Sequence, residues 1–251
     1  MTGFITLLER ELYRFGRLAA QTIAPPFVTT ALFIVIFGYS LGEKVGDIAG
    51  FPYIIYILPG LSGMSIITNS FSNSSSSLYM ARMDRSIDNI LVTPISSFRI
   101  VLSFVVGGII RGLTVGVVTM LTAYLMTNLV IENYALTFLF IVIISMAFSA
   151  LGVIAALWGN DWEHLAAFST FILAPLSYLG GTFYSIANLP PLWKKISLIN
   201  PMYYMVEGYR ATILGHSDVP LIHDLWISAV LALVTFAVAV WLFKKGFRLI
   251  V

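Results

Sequence analysis

The sequence predicts an all-α integral membrane protein. Three observations carry that expectation. Of its 251 residues, 59% are hydrophobic. Only 10% are charged, against about 25% in a soluble domain. The apolar residues also run in long continuous stretches rather than alternating ones, which favours helices over a barrel. With a mean hydropathy of +0.92, such a chain cannot cover a water-facing surface. Soluble enzymes, nucleic-acid binders and disordered segments are excluded as main readings. Cysteine is absent, so no disulfide or thiolate metal site is expected.

A helix crossing about 30 Å of hydrocarbon needs about 20 mostly apolar residues. Six stretches qualify: 24–42, 48–77, 100–127, 134–158, 165–185 and 224–243. The length fits a single transmembrane domain, 1–251, with no separate catalytic domain. With the N-terminus inside, the inner segments hold nine basic residues: Arg10, Arg14, Arg17, Arg82, Arg85, Arg99, Lys244, Lys245 and Arg248. The outer segments hold four: Lys44, Lys194, Lys195 and Arg210. That asymmetry places both termini in the cytoplasm.

Residues 1–20 are not expected to be a cleaved signal peptide, because Glu9, Arg10, Glu11, Arg14 and Arg17 interrupt the apolar residues. Phe4, Leu8, Leu12, Phe15 and Ala19 share one helical face, and the charged residues share the other. An amphipathic helix at the inner interface is expected, with Glu11 at its edge and no obvious partner. Pro25-Pro26 is expected to break it.

Between spans two and three, residues 82–91 read as a short helix. Met83, Ile87, Ile90 and Leu91 form an apolar stripe, with Arg82, Arg85 and Asp88 on other faces. Pro94 stops it. The stripe suits docking of a cytoplasmic partner or a solvated loop. Residues 186–213 read as two half-helices around Asn200-Pro201, the first started by Pro190-Pro191. A re-entrant or interfacial hairpin follows, serving as an aromatic anchor or as a lid over a translocation path.

Catalytic patterns are weak. Gly38-Tyr39-Ser40-Leu41-Gly42 matches G-x-S-x-G, and Gly60-Leu61-Ser62-Gly63 is like the string of rhomboid-type proteases. A serine nucleophile needs a base, and His164, His216 and His223 all lie in loops or at span ends. No phosphate loop and no H-E-x-x-H occur, and no carboxylate pair is expected within a span. The serine-rich run Ser70–Ser77 suits close helix packing or a polar pore wall. A secondary transporter needs buried ionisable groups, which the span interiors do not offer apart from Arg111. Arg111 is expected to face the bundle interior. Carbonyls, water, Asn69 or Tyr56 would satisfy it, and Gly107, Gly108 and Gly112 would let a neighbour approach. It would either lock helices or contact an anionic cargo group.

The order of elements, with Gln21–Pro26, Leu58–Leu61, Ile87–Pro94, Gly107–Leu113, Pro175–Tyr184, Leu189–Pro191 and Asn200-Pro201, resembles ABC-2 type exporter permeases along nearly the whole chain. It is similar in particular to the YadH-type branch, related to nodulation-factor and O-antigen polysaccharide exporters. The resemblance implies the six-span type V exporter fold in the bacterial inner membrane and export of a lipid, lipid-linked glycan or amphipathic compound. It implies a homodimer among membrane lipids, bound to two copies of a separate ATPase that carries ATP and Mg. The permease itself would hold no cofactor and break no covalent bond. The ATPase-coupling residues would be Arg82, Arg85, Ile87, Asp88 and Leu91. Arg111, Asn69 and Tyr56 would line the intramembrane path, and Trp193, Asn200, Pro201, Tyr204 and Glu207 would form the outer gate.

Overall fold

A computed structural model describes residues 2–17, 19–41, 46–217 and 219–247. Lys44 and Arg248 of the basic count, Gly42 of the G-x-S-x-G string, and Met1 and Leu18 of the interface helix lie outside the described residues. The chain is an all-α membrane protein, as its composition requires.

Helix α1 (Thr2–Arg17) is amphipathic and α2 (Ala19–Phe33) continues into a π-helical turn, Ile34–Leu41. Pro25 and Pro26 sit inside α2 rather than ending α1, which corrects the expected break. A proline pair removes two intrahelical donors, but a membrane helix tolerates that where its neighbours take up the freed groups. A two-residue hairpin follows, β1 (Asp47–Ile48) and β2 (Phe51–Pro52), with Ala49 at φ 53° and Gly50 at φ 84°. Positive φ at both central residues suits the twist of a tight hairpin. The second expected span therefore starts later and ends later than 48–77: α3 covers Tyr53–Met83.

Next come α4 (Ser86–Leu91), α5 (Ser97–Thr127) and α6 (Tyr134–Trp158). The stretch expected at 165–185 is α7 (Trp162–Phe168), a π turn (Ser169–Leu173) and α8 (Ala174–Leu179). Pro175 has no N–H to donate back along the helix, and the wider turn lies just before it. Gly181, at φ 79°, follows the end of that run. Helices α9 (Pro191–Ile199), α10 (Pro201–Leu214) and α11 (Leu221–Lys244) complete the chain.

Among the described residues, five helices are long and apolar enough to cross a membrane: Ala19–Gly38, Tyr53–Met83, Ser97–Thr127, Tyr134–Trp158 and Leu221–Lys244. The α7–α8 run is shorter and more polar than these. Helices α3, α5 and α6 form the centre, α2 packs on α5, and α11 packs on α6 and α10. Glycines on α5 permit the closest approach. A methyl group on Gly112 would lie 2.1 Å from the Ser145 hydroxyl of α6 and 2.4 Å from the Ser70 hydroxyl of α3. Without lipid-excluded water to drive helices together, such small-residue contacts supply the packing. One end of the bundle gathers Arg82, Arg85 and Arg99 with α1. We call it the basic end. The other gathers α9 and α10, and we call it the hairpin end.

Candidate functional site

At the hairpin end, Asn200 joins α9 to α10. Its Oδ1 accepts the Met202 N–H at 3.0 Å, capping α10, and its Nδ2 donates to the Leu176 carbonyl at 2.6 Å. Pro201 occupies the first turn, where no donor is needed. Helix α10 is buried nearly all round. It carries Glu207 and Arg210, which are 2% and 1% exposed. Arg210 donates to Glu207 at 2.5 Å, to the Gly181 carbonyl at 2.5 Å, and to the Tyr56 carbonyl and hydroxyl, both at 3.2 Å. Its guanidinium also lies 4.3 Å from the Tyr56 ring centre. One side chain thus ties α10 to the start of α3 and to the turn after α8. The turn sits tightly there, because a methyl group on Gly60 would lie 2.3 Å from the Thr182 carbonyl.

The sequence places Glu207 and Tyr56 among the site residues but counts Arg210 only as a basic residue of an outer segment. The i, i+3 spacing of Glu207 and Arg210 on an otherwise apolar helix is the signal that could have found the pair. Tyr56 serves Arg210 rather than Arg111. Trp193, with Ile196 and Ile199, stays exposed on α9. The Tyr204 hydroxyl donates to the Leu198 carbonyl at 2.9 Å.

At the basic end, Glu11 has the partners its sequence position does not reveal. It is 2% exposed and accepts from the Ser77 hydroxyl at 2.8 Å. Arg14 reaches Glu11 at 3.3 Å and donates to the Asn73 carbonyl and side-chain oxygen, each at 3.0 Å. The serine-rich end of α3 is therefore the dock for α1. Gly107 of α5 closes it, with the Glu11 Cβ 3.2 Å from where its own Cβ would stand. Arg111 lies one turn further along α5. Its Nε is buried without a partner, and Arg14 is the charge that acts on it. The Asn69 amide donates to the Ser65 carbonyl at 3.0 Å, back along its own helix. The expected service of Asn69 and Tyr56 to Arg111 is thus corrected.

The expected coupling stretch 82–91 divides in two. Arg82 closes α3, is buried, and donates to the Ala156 carbonyl and, at 3.1 Å, to that of Gly159. It thereby satisfies the C-terminal carbonyls of α6, where a cation is favoured. The short helix is α4 alone, entered through Arg85 at φ 57°. The Ser86 N–H donates to Asp84 at 2.9 Å and, with the Ser86 hydroxyl, holds the Asp84 carboxyl below the usual carboxylate range. Ile87, 1% exposed, and Ile90 face the bundle and pack in a cluster with Leu7, Leu78 and Phe104. Two of the four stripe residues are thus consumed inside the chain, while Met83 and Leu91 stay exposed. What α4 shows outward is Arg85, Asp88 and Leu91, with Val92 beside them.

A groove of about 290 Å³ opens between α2, α3 and the α8 turn. Pro26, Thr30 and Phe33 line one side, Ser65 and Asn69 another, and Phe183 a third. Ser62 is not set up as a nucleophile. Its hydroxyl lies within hydrogen-bond distance of Thr119, at 2.6 Å, and of Tyr209, at 3.1 Å, in a buried cluster without histidine.

A family model described as ABC-2 type transporter matches residues 2–214. The chain belongs to the ABC-2 type transporter family. The inner membrane transport permease YadH of Escherichia coli (strain K12) is 35% identical over 241 residues, 96% of this chain and 94% of that protein. Nodulation protein J of Rhizobium meliloti (strain 1021) is 25% identical over 226 residues, 88% of this chain and 84% of the relative. As an ABC-2 type permease the chain is a multi-pass inner-membrane transport protein. The ABC-2 match ends at Leu214, the last residue of α10. It therefore takes in both polar centres described above, the Glu207–Arg210 knot and the Glu11–Arg14 dock.

Proposed function

We propose that this ABC-2 permease is the membrane subunit of an ATP-driven exporter that moves a lipid, lipid-linked glycan or amphipathic compound out of the cytoplasm. Two copies of the chain would work with two copies of a separate ATPase, on which ATP and Mg are bound. The observation that carries the reading is α4. It is a short helix fixed to the bundle by Ile87 and Ile90, with Arg85, Asp88, Leu91 and Val92 left outward at the basic end. A helix anchored on one face and charged on the other transmits a push from a partner to α3 and α5. The basic end is then cytoplasmic, and both termini with it. On this reading α7–α8 makes the sixth crossing, and α9 with α10 forms the outer gate at Trp193, Asn200, Pro201, Tyr204 and Glu207.

The groove between α2, α3 and α8 supports an amphipathic cargo, because aromatic rings face hydroxyls and Asn69 across it. Arg111 supports an anionic group on that cargo. It adds a third guanidinium, after Arg10 and Arg14, to the neighbourhood of Glu11.

The experiment is copurification of the tagged full chain from native membranes, with the companions identified by mass spectrometry. An ATPase at near-equal stoichiometry is expected, lost with Leu91→Asp or Arg85→Glu while the permease itself stays folded. Absence of any ATPase from the wild-type preparation, or its full retention in both variants, contradicts the reading.

A further inference from the structure

Asp224 stands in the first turn of α11 and is wholly buried, and neither of its carboxylate oxygens has a hydrogen-bond partner. The backbone of α10 and a ring of α6 enclose it. A methyl group on Gly208 would lie 2.8 Å from the Asp224 Cβ and 2.4 Å from the Phe140 ring. One turn along the same face of α11, the Ser228 hydroxyl is also buried and without a partner.

The charged neighbours offer no compensation. From α10, Glu207 acts on Asp224 with like charge. Arg210 is already engaged by Glu207, Gly181 and Tyr56. From α6 the facing residue is Phe140, and the one titratable residue of that helix, Tyr134, is exposed. From the preceding loop, the Ser217 hydroxyl, which donates to the Val219 carbonyl at 2.5 Å, also acts on Asp224. His216 and His223 are exposed, and Glu132 lies against Gly215.

A lone carboxylate in an apolar enclosure is strongly unfavourable, and ionisable groups at such depth mark functional sites. A metal ion does not fit. Calcium takes about six to eight oxygens. Here the ligands are two carboxylate oxygens and the Ser228 hydroxyl.

We propose that Asp224 binds an exchangeable proton that holds the α10–α11 joint closed. With the proton bound, the acid is neutral and Glu207 meets no second charge across the joint. When the O–H bond breaks, the proton leaves to water and the electron pair stays on the carboxylate. A buried anion on α11 then repels Glu207 on α10. Proton loss thereby loosens the packing of α11 on α10.

Infrared spectroscopy of the purified full chain tests this without transport or ATP turnover. A carboxylic-acid C=O band is expected at neutral pH, lost on raising the pH and absent in Asp224→Asn. The wild-type melting temperature should fall across the same rise in pH, and that of Asp224→Asn should not. No acid band in the wild type, or a band surviving in Asp224→Asn, overturns the proposal. If Asp224→Asn does not fold, wild type grown with ¹³C-carboxyl aspartate decides. The band must shift with the label, and an unshifted band assigns the proton to a glutamate and overturns the proposal.

Discussion

Arg210 and Glu207 meet at 2.5 Å, three residues apart on α10, with both side chains excluded from solvent. The same guanidinium reaches the Gly181 carbonyl and Tyr56, so the pair joins three segments of chain. Removing one partner leaves the other charge buried and uncompensated, at a cost of about 3–5 kcal/mol. Arg210→Met or Glu207→Gln should each lower the melting temperature of the purified permease markedly. The double variant should lose less than the sum of the two, because it leaves no orphaned charge. Equal, additive losses would show that the two residues do not act as a pair.

The dock of α1 depends on Glu11. With both oxygens bonded to Ser77 and with Arg14 beside it, Glu11→Ala removes the acceptors and leaves Ser77 and Arg14 partly unsatisfied. A cost of about 1–3 kcal/mol is expected from the unmade hydrogen bonds. Because the chain lacks cysteine, a probe at Leu7, buried in the basic-end cluster, reports the detachment directly. Thiol labelling at that position should rise in the Glu11→Ala background. Unchanged labelling would show that the apolar face holds α1 unaided.

Ile87 and Leu91 are expected to separate, although the sequence puts them on one stripe. Ile87→Asp buries an unpaired charge inside the chain and should prevent folding or lower the yield sharply. Leu91 is 37% exposed, so Leu91→Asp should leave the melting temperature within about 0.5 kcal/mol equivalent of wild type. Equal yields and equal melting temperatures for the two variants would contradict the placement of α4.

Arg111 acts as a helix lock only if it has partners within the protein. Its Nε has none, and the charge that acts on it is another arginine. Arg111→Gln is therefore expected to fold with an unchanged or higher melting temperature. Any loss should appear in transport of an anionic cargo or in cargo-stimulated ATP turnover. A large drop in stability would instead assign Arg111 to a structural contact.

Much of this architecture is legible in the chain because the bilayer imposes it. Charge-free stretches locate α2, α3, α5, α6 and α11, and the bounds of α6 match the expected 134–158. Local rules fail where neighbours intervene. Pro25-Pro26 reads as a break, yet tertiary packing keeps both inside α2. The stripe 83–91 reads as one interface, but Leu78 and Phe104 take up Ile87 and Ile90 and leave Met83 and Leu91 exposed. Glu11 looks unpartnered because Ser77 lies 66 residues away. Glu207 reads as an outer-gate residue and Asp224 as the start of the last span, unconnected until α10 packs on α11. Each miss is a long-range contact, which spacing along one helix does not record.

The central claim is that the basic end receives an ATPase from the cytoplasm. Single cysteines in place of Asp88 on α4 and Trp193 on α9, each carrying a photo-cross-linker, test it in intact membranes. Both native side chains are exposed, so neither probe disturbs the core. Cross-linking to an ATPase subunit from position 88, and none from position 193, is the expected result. An ATPase captured at position 193, or at neither position, would contradict the account.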